Sequence, residues 1–265
     1  MSEKKFTMQE GPRTEKCVKV LAIGNSFSDD ATTYLRDMAI ADGFDLRVAN
    51  HWIGGCSLER HHGNITNNTQ DYWLVYHTLQ RSYRTQSVSL DYALDNADWD
   101  IVTVQQVSGL SGKYETFEPY ASEFIEHIKQ HAPNAEIMLH MTWGYAEDYP
   151  GIPNNGYASQ KDMYEKIKSA YAKFSADQNN ARILPSGEAI QKARATFMGD
   201  NFNRDGFHLN IRGRLVSGYV WYEIFTGISA LDSKYDPRTA DDTLTDEEIQ
   251  VMKEAAHSAV LEYKK

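Results

Sequence analysis

Apolar runs of strand length alternate with helix-length amphipathic segments along most of the chain. VKVLAIG (18–24) has the unbroken apolar character of a buried strand, and ATTYLRDMAIADG (31–43) follows with helical spacing, closed by Gly43. Further strands are predicted at DLRVANHW (45–52), DWDIVTVQQ (98–106), AEIMLHMTW (135–143) and ARILPSG (181–187). Between them, PYASEFIEHIKQHAP (119–133) and YASQKDMYEKIKSAYAKFSADQ (157–178) predict helices. Parallel strands need a crossover, so this alternation predicts an α/β fold with a mainly parallel sheet covered on both faces. Near the C-terminus, Thr245 and Glu248 have capping-box spacing, and Ile249, Met252, Ala256, Val260 and Tyr263 fall on one face of a packing helix.

Residues 59–97 interrupt the pattern. YWLVYHTLQRSYRTQSVSLDYAL is aromatic and β-prone but too polar for a central strand, so it predicts a hairpin or excursion inserted between the second and third main strands. Loops beyond the carboxyl ends of strands build ligand sites in open α/β sheets, which makes this insertion a candidate cleft wall. A surface hairpin without a role is the alternative. No repeat, low-complexity tract or linker divides the chain, so one domain over 1–265 is expected, with 1–16 as a flexible N-terminus.

Composition narrows the partners. The chain has 265 residues, 41% hydrophobic, enough for a well-buried core. Its formal charge of −10 would be repelled by phosphate backbones, so nucleic acid is not an expected partner. No stretch approaches the roughly 18 apolar residues of a membrane span. The first 16 residues carry lysines without a hydrophobic core, so a cytoplasmic address is the default, and a secreted or periplasmic one if a leader has been lost. Two cysteines, Cys17 and Cys56, make no disulfide framework. No histidine or cysteine spacing suggests zinc, and the adjacent His61–His62 pair reads as a solvated loop, so neither a metal nor a cofactor is expected. Nothing in the sequence fixes an oligomeric state.

The candidate chemistry sits at two turns. In LAIGNSFSDD (21–30) an apolar strand runs into small polar residues and then a helix, which would raise the Ser26 hydroxyl at the carboxyl edge of the sheet. Gly24 allows the tight turn, and N–H groups at the helix start would face an oxyanion. A serine hydroxyl becomes nucleophilic only beside a base that a third group orients. NRDGFHLNIRGR (203–214) supplies Asp205 three residues before His208, in a polar turn ahead of an apolar helix. Asn25 and Asp29, flanking Ser26, read as turn and helix-cap residues. Cys56 reads as a small packing residue.

These motifs resemble the SGNH (GDSL-type) hydrolases, and within them a DUF4886-type branch. The resemblance runs from about Lys19 to Gly227 and rests on Gly24-Asn25-Ser26-Phe27-Ser28, Gly54-Gly55, Gln105-Gln106 and Asp205-Gly206-Phe207-His208. It implies a flavodoxin-like three-layer α/β/α sandwich and ester hydrolysis without a cofactor. By that resemblance Ser26 is the nucleophile, His208 the base and then acid, and Asp205 the group orienting the imidazole. An oxyanion hole is implied from the N–H of Ser26, a glycine N–H (Gly55, with Gly54 one residue away) and an asparagine amide. The chain departs at the third donor: after DIVTV stands QQVSG, without the glycine-x-asparagine-aspartate block. A glutamine amide is the same neutral donor, so Gln106 is expected in the hole, with Gln105 facing the other way along the strand.

The expected reaction is removal of short acyl groups, acetyl above all, from a carbohydrate or other small-molecule ester. The polar loops expected at ERHHGNITNNTQD and YPGIPNNGY favour a hydrophilic substrate, and Trp52, Trp143 and Tyr145 are candidates for stacking on it. A lipase- or thioesterase-like hydrolase is one alternative. A carbohydrate-binding relative with little activity is another.

Overall fold

The computed structural model describes residues 17–78 and 82–264, and the predicted flexible segment 1–16 lies outside the described residues. Strand β1 (Cys17–Gly24) is the centre of the fold and is buried from Lys19 onward. It is followed by α1 (Ser26–Thr32), α2 (Leu35–Ala41), β2 (Asp45–Trp52) and α3 (Leu58–Asn67). Next come β3 (Tyr72–His77), β4 (Ser82–Val88), α4 (Leu90–Leu94), β5 (Ile101–Val104), α5 (Tyr120–His131) and β6 (Glu136–His140). The chain closes with α6 (Gly151–Asn154), α7 (Gln160–Asp177), β7 (Arg182–Leu184), α8 (Ser186–Arg194), α9 (Ile211–Thr226) and α10 (Asp246–Tyr263).

The seven strands lie in the order β4-β3-β2-β1-β5-β6-β7. β1 pairs in parallel with β2 and β5, and β5, β6 and β7 continue in parallel. Crossovers between parallel strands are right-handed, so those leaving β1 leftward and β5 rightward fall on opposite faces. The packing agrees: α1, α2 and α8 gather on α9 with α10, whereas α3, α4 and α5 pack on one another. This is the predicted three-layer α/β/α arrangement. Between β2 and β5 the strand order reverses at β1, which puts the crevice at the carboxyl end of β1.

The expected helix over 31–43 forms as two, because Asn25 caps a start five residues earlier. The Thr32 and Thr33 hydroxyls then donate back to the carbonyls of Ser28 (2.8 Å) and Asp29 (2.9 Å), which competes with helix propagation where α1 ends. The interruption at 59–97 is not a free-standing excursion. It is α3, a hairpin and α4, and the hairpin adds β3 antiparallel to β2 and β4 antiparallel to β3. Its strands thus lengthen the sheet sideways and contribute no wall to the crevice beside Ser26. The alternation of buried Tyr72, Leu74 and Tyr76 with less buried neighbours is that of a strand covered on one face. At the C-terminus the Thr245–Glu248 capping box forms as the spacing predicts.

Candidate active site

Gly24 ends β1 where a side chain has no room: a Cβ there would lie 2.8 Å from the Gln105 amide carbon and 2.9 Å from Ser28 Oγ. The next residue, Asn25, is extended and caps α1 by accepting the Phe27 N–H (3.0 Å). Ser26 is therefore the first helical residue, and its own N–H has no acceptor within the helix. Across the crevice, the turn after β2 is closed by Cys56 N–H to Ile53 O (3.2 Å) with Gly55 at φ +63°. Asn25 fastens that turn to the Ser26 loop, its Nδ2 donating to Cys56 O (3.1 Å).

The second turn is a tight hairpin, with an Asn203–Leu209 bridge and Arg204 N–H donating to His208 O (2.9 Å). Gly206 takes φ +91° under the Tyr149 ring, and a Cβ there would come 2.2 Å from that ring. Asp205 folds back over this turn. Its Oδ1 accepts the N–H of His208 (2.8 Å) and Phe207 (3.3 Å), and its Oδ2 lies 2.7 Å from His208 Nδ1. Burial raises the Asp205 pKa, but the ring and backbone hydrogen bonds of His208 and that of Phe207 outweigh it and hold the carboxyl below its ordinary 3.8. An ionised carboxylate only accepts, so the hydrogen sits on Nδ1 and the Nε2 lone pair faces outward. Ser26 Oγ is 2.8 Å from that Nε2. A cleft of about 460 Å³ opens over the pair, with Asn25, Phe27, Phe207, Gly54, Gly55, Val107 and Ser108 around it.

The model of the family described as Domain of unknown function (DUF4886) matches residues 19–259. The chain belongs to the DUF4886 family. A crystal structure of a DUF4886 family protein from Bacteroides uniformis is 36% identical and superposes with a TM-score of 0.87, covering 94% of this chain and 96% of that one. The fold extends to more distant structures. A proposed SGNH hydrolase from Slackia heliotrinireducens (22% identity, TM-score 0.55) covers 78% of this chain and 98% of its own. A member of the lipolytic G-D-S-L family from Veillonella parvula (14% identity, TM-score 0.50) covers 80% and 100%. No curated protein matches the chain.

Within this DUF4886 chain the structure brings Ser26, His208, Asp205 and Gly55 to one cleft and withholds Gln106 from it. Gln106 is fully buried behind the wall. Its Oε1 accepts the N–H groups of Leu58 (3.0 Å) and Val107 (2.8 Å), and its Nε2 donates to Thr116 O (3.1 Å) and Oγ1 (3.2 Å). Both amide hydrogens are committed, so none is left for an oxyanion. The strand ends at Val104, and strand alternation no longer governs the two glutamines after it. Gln105 is the one that reaches the site loop, donating from Nε2 to Asn25 Oδ1 (2.9 Å).

The three aromatic candidates are corrected too. Trp143 is fully buried, stacked on Phe27 at 4.2 Å, and donates its indole N–H to Phe207 O (2.8 Å). It props the histidine turn from below. Trp52 ends β2 opposite Gly24 and Trp73, half-buried in the sheet and away from the cleft lining. Tyr145 stands behind the wall, its hydroxyl 2.8 Å from that of Ser108. Cys56 packs as expected, and burial pushes its thiol up to about 12.

Sequence reasoning missed two supports of the DUF4886 site. Asp30 is 1% exposed, and its Oδ1 takes Arg214 (2.7 Å) and Arg204 (2.9 Å) while Oδ2 accepts the Leu209 N–H (2.8 Å). One carboxylate on the helix that begins at Ser26 thus clamps the turn that carries His208. The second support is a chain of buried donors. Trp221 and Ser217 donate to Ser186 Oγ, Ser186 faces His140 Nε2, and His140 Nδ1 donates to Gln105 Oε1 (2.7 Å). Gln105 then donates to Asn25, and Asn25 to Cys56 O. The polar residues His140, at the end of β6, and Gln105, just past β5, were the available signal.

Proposed function

We propose that this protein is a serine ester hydrolase of short acyl esters, acetyl above all, working without a metal or cofactor. The observation that carries the reading is the Ser26–His208–Asp205 alignment, 2.8 and 2.7 Å, at the floor of an open cleft. In this reading His208 Nε2 takes the Ser26 proton as Oγ bonds to the ester carbonyl carbon, and the carbonyl oxygen becomes an oxyanion. That oxyanion meets the N–H of Ser26 and of Gly55, with Gly54 beside it. The imidazolium, steadied by Asp205, returns the proton to the leaving alcohol as the C–O bond breaks. Water then repeats the cycle on the acyl-serine and releases the acid. With Gln106 committed elsewhere, the hole in this reading rests on these backbone donors.

Phe27, Val107 and Phe207 supply an apolar wall for the acyl group, and the side open to solvent has room for a bulky alcohol such as a sugar. With none of Trp52, Trp143 and Tyr145 lining the cleft, the carbohydrate half of the reading rests on the polar stretch 149–157, where Tyr149 stacks on Phe207 of the cleft wall; residues 59–67 belong to α3, which packs on α5. The apolar wall also favours a second reading, a hydrolase of longer acyl chains, in which each buried CH₂ would add about 0.8 kcal/mol.

A fluorophosphonate label should attach at Ser26 and fail on Ser26→Ala. Turnover should drop about 10⁶-fold in Ser26→Ala and His208→Ala, and about 10⁴-fold in Asp205→Asn. Across p-nitrophenyl esters, kcat/KM should be highest for acetyl, with acetate released from acetylated oligosaccharides. A kcat/KM that climbs with chain length, with no acetate from any sugar, would select the second reading. Absence of labelling and turnover would reject both.

A further inference from the structure

α5 carries HIKQH at its C-terminal end, so His127 and His131, four residues apart, stand on one face. α4 packs beside it and presents Asp91 from its first turn and Asp95 from its C-terminal cap. One ligand atom from each of Asp91, His127 and His131 lies within 4.8 Å of the other two. Asp91 Oδ1 is 2.6 Å from His127 Nε2 and 3.9 Å from His131 Nε2. Tetrahedral zinc with bonds of about 2.0–2.1 Å holds its ligand atoms about 3.3 Å apart, a spacing these two distances bracket. His131 Nδ1 is meanwhile 2.8 Å from Asp95 Oδ1. A carboxylate on Nδ1 keeps the hydrogen there and leaves Nε2 as a lone pair turned toward Asp91. That is the outer-shell arrangement which orients metal-binding imidazoles.

We propose that Asp91, His127 and His131 form a site for a divalent transition cation of the zinc class, with Asp95 fixing the tautomer of His131. Imidazole with carboxylate suits such a cation and not Ca²⁺ or Mg²⁺, which take all-oxygen shells. The three side chains are a fifth to two-fifths exposed, so an ion reaches them from solvent and completes its shell with water. None of them lines the cleft beside Ser26. The site clips α4 to α5 and thereby ties the segment after the edge hairpin to the helical layer, independently of the esterase reading.

The test is a calorimetric titration of chelator-stripped full-length protein with Zn²⁺. One ion should bind per chain, with proton release, and the melting temperature should rise with Zn²⁺ concentration. His127→Ala and His131→Ala should abolish saturable binding, and Asp95→Asn should weaken it about 10–100-fold. His62→Ala is the neighbouring control: His62 pairs with Glu123 at 2.5 Å on the same helix layer, and its loss should leave the affinity unchanged. Metal-free melting temperatures within a degree or two of the parent would establish that the variants fold. A flat titration of the parent overturns the proposal, as does Zn²⁺ binding that survives His131→Ala or disappears in His62→Ala.

Discussion

A hydroxyl 2.8 Å from an imidazole is useful only while the imidazole stays where it is, and here that depends on residues distant in sequence. Asp30 holds Arg204, Arg214 and the Leu209 N–H from its place on α1. Asp30→Asn keeps the shape but removes the charge that faces two guanidinium groups; as Arg204 and Arg214 are 40% and 25% exposed, the loss should be that of charged hydrogen bonds, about 1.5–3 kcal/mol. We expect a lower denaturation midpoint together with a fall in kcat, because the His208 turn loses its anchor; a kcat unchanged at full stability would contradict the clamp. Gln106 makes the contrasting case. Gln106→Ala strands the buried N–H groups of Leu58 and Val107, at about 1–3 kcal/mol each. Its signature should be lost stability, with kcat on the remaining folded protein near that of the parent. The sequence displayed Ser26, Asp205 and His208 through local spacing, which is why all three were legible. Asp30 was not legible, because SFSDD reads as an ordinary acidic first turn and its partners lie some 180 residues further on.

At the scale of elements, the carboxyl ends of β1, β5 and β6 are tied by side chains and not only by the ladder. The run from Ser186 through His140 and Gln105 to Asn25 crosses these strand ends and reaches the Gly54–Gly55 turn through Cys56. Gln105→Leu, close in size, removes both the acceptor for His140 and the donor for Asn25. We expect kcat to fall with KM little changed, because in the proposed mechanism the glycine turn serves charge that develops only in the transition state. His140→Phe should give the same kcat-against-KM pattern, and the two losses should be less than additive in a double-mutant cycle. Strand positions were readable because buried parallel strands leave apolar runs. The two glutamines were not, since they follow the last strand residue, where the backbone leaves its period of two. The aromatic residues were misread for a related reason: Trp143 and Tyr145 also follow a strand, and burial rather than sequence position decides which way such rings turn.

For the molecule as a whole, acid is the condition to which the fold is most exposed. His51, His61 and His140 are buried, His61 on α3 and not in the solvated loop that its sequence suggests, and desolvation pushes each from an ordinary 6.5 down to about 3. Unfolded, all three take up protons below about pH 6.5; folded, they resist until about pH 3. The unfolded state therefore binds more protons throughout that window, and stability is full above it and declines as pH falls. Because three imidazoles share this direction, the decline should be steeper than a single group would give. The urea midpoint should drop steeply between pH 7 and pH 5, and a midpoint unchanged over that range would show that these rings are hydrated in solution.

The clamp at Asp30 has one more consequence, concerning the order in which the chain is made. Ser26 leaves the ribosome early, with its strand and helix, yet the imidazole beside it and the arginines that hold that imidazole's turn come from Arg204 to Arg214. A nascent chain halted before that segment carries a serine with no imidazole beside it, and a stalled chain of this kind should take no fluorophosphonate label however well its first strands have paired. In the proposed mechanism Ser26 therefore gains reactivity only once the 204–214 segment has been made and has folded onto α1.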